Sequence, residues 1–254
     1  MLPYLDPPPL YVGGLWLRWA FLFAVIGVLT AHFLLLWRAK RLNLDVPTAA
    51  AMSFFMVVAG VAGARLFKLA YVPQLWPQIT WQTILFSAGG LASFGGLLGG
   101  LIGALLYFAA RRFPPRKALD YLDALVAVFP MGWIFGRMGC AIVHDHPGLA
   151  TNSFLAVAYP DLPRYDLGLT EVLFFATVMI PLFVWLGRSP RPRGFFLATF
   201  FIIYGAFRLW LDTLHVDPPR FAGVTVDQWA YGGMLIAGAL LVVWMRASKR
   251  EEQS

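Results

Sequence analysis

GLTEVLFFATVMIPLFVWLGRSPRPRGFFLATFFIIYGAFRLWLDTLH, residues 168–215, holds two apolar runs joined by a short basic link. A helix rises about 1.5 Å per residue, so about 20 apolar residues cross the ~30 Å hydrocarbon core of a bilayer. The runs 168–187 and 195–215 have that length, with Arg188, Pro190, Arg191, Pro192 and Arg193 between them. This spacing predicts a transmembrane helical hairpin. Five similar runs lie outside it, at 15–37, 48–72, 90–110, 121–142 and 227–246. The fold class is therefore all-α: a polytopic membrane protein of seven transmembrane helices. Residues 1–254 read as a single integral membrane domain.

Composition agrees. The chain is 59% hydrophobic and 13% charged, against roughly 25% charged residues in a soluble domain. That balance excludes a soluble globular protein and a disordered chain. The net charge of +7 would suit nucleic acid, but its placement gives another reason. Thirteen of the 20 lysines and arginines follow the first, third, fifth and seventh runs. The positive-inside rule puts those links in the cytoplasm, the N-terminus outside and the C-terminus inside. Nucleic acid is not an expected partner. The N-terminus lacks the basic start of a secretory signal, so the first run is expected to stay as an anchor. The single cysteine, Cys140, rules out an intramolecular disulfide, and a Cys-based zinc site is excluded.

The outer side collects ionisable residues. Arg65 falls in the second run, Arg137 near the outer end of the fourth, and Arg208 and Asp212 in the outer half of the sixth. Glu171 opens the fifth, and His144, Asp145 and His146 follow the fourth. A charge in mid-membrane costs about 2.5–3.5 kcal/mol on insertion scales, and arginine cannot shed its proton. Three arginines with few acids suggest an anionic ligand, and a phosphate suits the guanidinium fork. Structural readings stand beside these. Arg208 and Asp212 are spaced i, i+4 and could pair with each other. Arg65 could snorkel to the interface. The glycines from Gly95 to Gly103 form a close-packing face. His144-Asp145-His146 resembles a metal tract, but two histidines make a poor site, and no metal is assigned. Cys140 reads as a buried apolar thiol.

Several motifs in order resemble the prolipoprotein diacylglyceryl transferase family of bacterial inner-membrane enzymes, from about residue 15 to 245. Gly63-Ala64-Arg65-Leu66 resembles its Gly-x-Arg-Leu. Ser93-Phe94-Gly95-Gly96-Leu97-Leu98-Gly99 resembles Ser-Phe-His-Gly-Gly-Leu-x-Gly. Phe135-Gly136-Arg137-Met138-Gly139, with Asp145 and Gly148, resembles its longest glycine–arginine motif. Arg164 with Leu169-Thr170-Glu171, and Tyr204-Gly205-Ala206-Phe207-Arg208 with Asp212, resemble the two that follow. The chain departs from the pattern at Gly95, in place of histidine, and at Cys140 and Val143, in place of asparagines. Asp145 stands in place of glutamate, and Tyr165-Asp166-Leu167-Gly168 in place of His-Pro-x-Gln.

The resemblance implies transfer of diacylglycerol from phosphatidylglycerol to the lipobox cysteine of a prolipoprotein, at the outer side of the inner membrane. The partners would be phosphatidylglycerol and the prolipoprotein signal peptide, within membrane lipid. No cofactor is implied, and a monomer is expected. Arg137, Arg65, Arg208, Glu171 and Asp212 would bind substrate. Arg208, His144, His146 and Asp145 would carry the chemistry, with His144 or His146 as base in place of the missing histidine. In an extended segment, an inward Asp145 would turn both histidines outward. A non-catalytic or altered-acceptor lipid-binding paralog is the alternative. A seven-helix receptor or transporter is the reading from another class: the lack of lysine between Asp227 and Trp244 argues against a retinal protein, and the lack of an inverted repeat against a transporter.

Overall fold

A computed structural model describes residues 1–13, 15–71, 93–216 and 220–251. The link around Pro73 and Pro77, the start of the third run at 90–92, and Pro218-Pro219 lie outside the described residues. The chain divides into two compact units, Leu36–Tyr121 and the remainder.

A short hairpin, β1 (Leu10–Val12) and β2 (Leu15–Leu17), leads into α1 (Trp19–Arg41). Helix α1 ends on Arg38, Lys40 and Arg41, where cations meet the negative end of the helix dipole. Asn43 takes φ +54° and reverses the chain. Asp45 then caps α2 (Val46–Tyr71) by accepting from the Thr48 N–H at 2.9 Å, and Pro47 suits the first turn.

In the unit Leu36–Tyr121, α2 packs on α3 (Ser93–Ala110) through facing glycines. A Cβ on Gly63 would lie 2.5 Å from the Gly95 carbonyl oxygen. A Cβ on Gly95 would lie 2.6 Å from the Gly63 carbonyl oxygen and collide with Phe67. The backbones touch, so the family histidine has no room at Gly95.

The expected fourth span is broken. Helices α4 (Pro115–Val126) and α5 (Phe129–Val143) meet at 49° and pass as one span only together. Pro130 sits in the first turn of α5, where its missing N–H and ring obstruct a continuous helix. In the other unit, α5 packs on the first half of α1. A Cβ on Gly132 would lie 2.5 Å from the Gly27 carbonyl oxygen.

The segment 143–167, expected as a polar loop, folds into a three-stranded antiparallel sheet: β3 (Pro147–Ala150), β5 (Pro163–Asp166) and β4 (Val157–Ala158), in that order. Leu2 adds a parallel bridge to Val157. Asp166 ends the sheet and starts the next helix, its side chain accepting from the Leu169 N–H at 2.8 Å.

One span follows, in three pieces: α6 (Leu167–Phe174), a π-helical turn (Phe175–Met179) and α7 (Ile180–Leu186). Pro181 cannot donate to the turn before it, and the wider turn absorbs that. Helix α8 (Phe195–Asp212) starts after Gly194 at φ +79°. Strands β6 (Arg220–Phe221) and β7 (Val224–Thr225) then lead to α9 (Val226–Glu251). Thr225 and Gln228 cap α9 reciprocally, at 3.0 and 3.2 Å.

Among the described residues, five helices are long and apolar enough to cross a membrane, or six with the bent pair. Helix α3 is apolar but shorter. The fold is a helical polytopic membrane protein. In α1 and α9, 11% of the apolar window is buried, against 50% in α8. Large apolar side chains such as Phe21, Phe33 and Leu240 face outward, as lipid requires. Helix α8 is enclosed, and it carries the site.

Candidate active site

Three helices each place an aromatic residue four positions from an ionisable one. They are Trp133 and Arg137 on α5, Tyr204 and Arg208 on α8, and Asp227 and Tyr231 on α9. This spacing stacks both side chains on one face. Arg137 lies over the Trp133 ring at 5.0 Å and Arg208 over Tyr231 at 4.7 Å, both cation–π contacts.

Glu171 stands at their centre, 1% exposed. Its Oε1 accepts from the Tyr204 hydroxyl at 2.6 Å and from Trp133 Nε1 at 3.2 Å, and forms an ion pair with Arg137 Nε at 3.1 Å. Its Oε2 accepts from Arg208 Nη1 at 3.0 Å. Arg208 Nη2 also donates to Asp227 Oδ2 at 3.1 Å.

Two arginines are thus held against one buried carboxylate, and their donors are not exhausted. Arg137 is 4% exposed and offers Glu171 its Nε, with two further nitrogens on the same guanidinium. Arg208 Nε has no hydrogen-bond partner among the described residues. Burying a guanidinium costs several kcal/mol unless its charge and donors are met. A ligand offering several acceptors and negative charge would meet them, and a phosphate has this chemistry.

The pairing of Arg208 with Asp212 does not form. Asp212 accepts from the Thr225 hydroxyl at 2.7 Å and faces His215 Nδ1 at 3.5 Å. It straps the end of α8 to the start of α9, while Asp227 takes the Arg208 position. Burial, then the Arg208 charge, hold the His215 pKa below its usual value. Arg65 lies in the other unit, half-buried on α2.

The histidine tract divides its labour. His144 ends α5 at φ +49° and turns inward. Its Nδ1 lies 2.6 Å from Asp166 Oδ2, and its Nε2 accepts from the Leu5 N–H at 3.4 Å. Tyr4 stacks on the ring at 4.5 Å, and the Tyr159 hydroxyl donates to the same Asp166 oxygen at 2.9 Å. Both His144 nitrogens are engaged, so it anchors the N-terminal segment to the sheet. Asp145 points outward, contrary to the inward orientation expected of it, because the left-handed turn at His144 breaks the extended alternation.

His146 pairs with Asp145 through Nδ1. Burial opposes its charge, but hydrogen bonding to Asp145 and then to Cys140 raises its pKa to about 9. Cys140, Asp145 and His146 place one ligand atom each within 4.8 Å of one another.

Sequence reasoning gave no site role to Trp133, Tyr204, Asp227 or Asp166, although Tyr204 and Asp166 stood in the quoted motifs. The first two were findable as i−4 neighbours of arginines in apolar runs. Asp227 and Asp166 come from other elements, and only the fold brings them in.

A family model described as prolipoprotein diacylglyceryl transferase matches residues 8–244. The phosphatidylglycerol–prolipoprotein diacylglyceryl transferase of Chromohalobacter salexigens is 30% identical over 264 residues, covering 96% of this chain and 94% of that protein. The same-named protein of Cupriavidus necator is 30% identical, covering 95% and 93%. That of Thermotoga maritima is 26% identical, covering 96% and 86%. With glutamate-braced arginines at both motif positions and a match along nearly its whole length, the chain belongs to the prolipoprotein diacylglyceryl transferase family.

Proposed function

We propose that this chain transfers the diacylglyceryl group of phosphatidylglycerol to the lipobox cysteine thiol of prolipoproteins, at the outer side of the bacterial inner membrane. The observation that carries the reading is the buried Arg137–Glu171–Arg208 cluster, in which Arg208 Nε has no hydrogen-bond partner among the described residues. Charge-assisted contacts to a lipid phosphate are worth about 1.5–3 kcal/mol each. They strengthen as the leaving phosphate gains charge.

The thiol sulfur attacks the glyceryl carbon that bears the phosphate. The carbon–oxygen bond breaks, and glycerol phosphate leaves on the arginines. The thiol proton passes to His146, oriented by Asp145. A ring holding its proton to about 9 accepts from a thiol of pKa near 8.5 without an uphill step. Only a minority of such rings is free to accept at neutral pH. His144 and Asp212 support the site from behind. Arg65 stays a proposal for headgroup binding, resting on its motif.

The proposed topology is seven spans, N-terminus outside and C-terminus inside. The alternating cations support it, with α3 and the bent α4–α5 pair each taken as one crossing. The two units are proposed to act together as one integral membrane domain, since the family match runs through both. The protein is proposed to work as a monomer.

The test is purified protein with phosphatidylglycerol and a lipobox peptide, alongside complementation of a strain depleted of its own transferase. Thioether-linked product that disappears with Arg137→Ala, Arg208→Ala and His146→Ala is expected. Phosphatidylglycerol binding with no product would reject catalysis. Binding unchanged in both arginine variants would reject the clamp.

A further inference from the structure

The geometry points to a divalent metal site formed by Cys140, Asp145 and His146, two of which the proposed transfer also uses. Cys140 lies in the last turn of α5 and its partners just beyond the helix. The left-handed turn at His144, φ +49° and ψ +37°, folds the chain back so that all three ligand atoms come within 4.8 Å of one another.

The backbone holding them is pinned on both sides. His144 is fixed by Asp166 and Leu5. The His146 carbonyl accepts from the Leu167 N–H at 3.1 Å, and Pro147 pairs with Asp166 in the sheet. The ligands therefore need no loop to order around an ion.

The donor set is one thiol, one imidazole and one carboxylate. Zinc and cobalt take such mixed sets at about 2.0–2.3 Å, with water in the fourth position of an open site. Asp145, 45% exposed at its side chain, supplies the route from solvent. Thiolate and carboxylate together cancel a 2+ ion, so the filled site adds no net charge one turn from Arg137. The single thiol was taken to exclude a Cys-based zinc site; this set departs from that expectation, because it needs only one.

Two neighbouring clusters do not compete. The ring nitrogens of His144 are engaged, and Asp212 is occupied by Thr225 and His215. A metal on His146 would occupy the proposed base, so zinc should inhibit transfer. That consequence rests on the proposed function; binding does not.

Purified full-length protein in detergent, stripped with chelator, is titrated with Co²⁺ and separately with Zn²⁺. One equivalent of Co²⁺ should give a thiolate-to-cobalt charge-transfer band that is lost in Cys140→Ser. Zn²⁺ affinity should fall more than tenfold in His146→Ala and stay unchanged in Asp161→Asn, an exposed acid on the same segment. In the unmodified protein, Zn²⁺ should slow maleimide labelling of Cys140, the sole thiol, at least tenfold. A cobalt spectrum unaltered in Cys140→Ser, or labelling insensitive to Zn²⁺, overturns the site. Loss of zinc inhibition with the cobalt band intact overturns only the base.

Discussion

Glu171 is shared by two guanidiniums, and its replacement separates two effects. Glu171→Gln keeps the shape but leaves Arg137 and Arg208 buried without their common counter-charge. Breaking such a buried pair costs about 3–5 kcal/mol, so thermal unfolding in detergent should show a large loss of Tm. Arg137→Lys should behave differently. Lysine keeps the positive charge that Arg137 sets 3.1 Å from Glu171, so Tm should fall less than in Glu171→Gln. The transfer rate should still fall at least tenfold, because a lysine cannot offer the fork. His215 gives a pH effect whose sign follows from its surroundings. Burial first, then Arg208, depress its pKa, while Asp212 and Asp227 oppose and His146 adds to the depression. The unfolded chain, with its histidine near 6.5, therefore binds the proton more readily than the folded one. Stability is intact above about 6.5 and declines as pH falls below it. Because His146, raised to about 9, adds stability as pH falls toward 6.5, the His215 effect is read as a difference: below about pH 6.5 Tm should fall more steeply in the parent than in His215→Gln. At this scale the arginines were legible, because a guanidinium inside an apolar run demands an explanation. The partner of Arg208 was not. Helical spacing pointed to Asp212, and the fold supplied Asp227 from another helix.

Helices were legible from apolar length and basic ends, but their interruptions were not. Pro130 breaks the fourth span and Pro181 widens the fifth, yet both stand within apolar runs whose hydropathy hardly changes. The small sheet at 147–166 was hidden as well. Its strands are two to four residues long, too short for alternation to show. The glycine series on α3 was read correctly as a packing face, and the structure adds why Gly95 replaces a histidine. Restoring that residue should not restore a family function. In Gly95→His the imidazole would be driven into Phe67 and the Gly63 carbonyl. Overpacking costs about 1–3 kcal/mol where neighbours can yield, and here a facing backbone resists. Lower Tm and lower transfer are expected together. Raised activity at unchanged Tm would show that α2 and α3 separate readily.

At the scale of the whole chain, one helix decides which face of the membrane the site occupies. Helix α3 has 18 residues, about 27 Å of helix against a ~30 Å core. If it crosses, the chain makes seven crossings, and the basic link Arg111 to Lys117 is cytoplasmic. The ends of α5 and α8, with Arg137 and Arg208, then face outward. If it does not cross, every later segment inverts, and the arginine cluster opens to the cytoplasm, away from exported prolipoproteins. The cations favour crossing, because Arg111, Arg112, Arg116 and Lys117 would otherwise sit outside with the link around Pro77, against the positive-inside bias. A few Å of mismatch costs fractions of a kcal/mol per Å, less than placing four cations on the wrong side. Reporter fusions after Lys40, Arg116 and Arg193 should read cytoplasmic, and fusions near Pro77, Asn152 and Pro218 external. An external reading at both Arg116 and Arg193, with Asn152 cytoplasmic, would mean that α3 does not cross. It would also remove the proposed function, since the clamp would then face the wrong compartment.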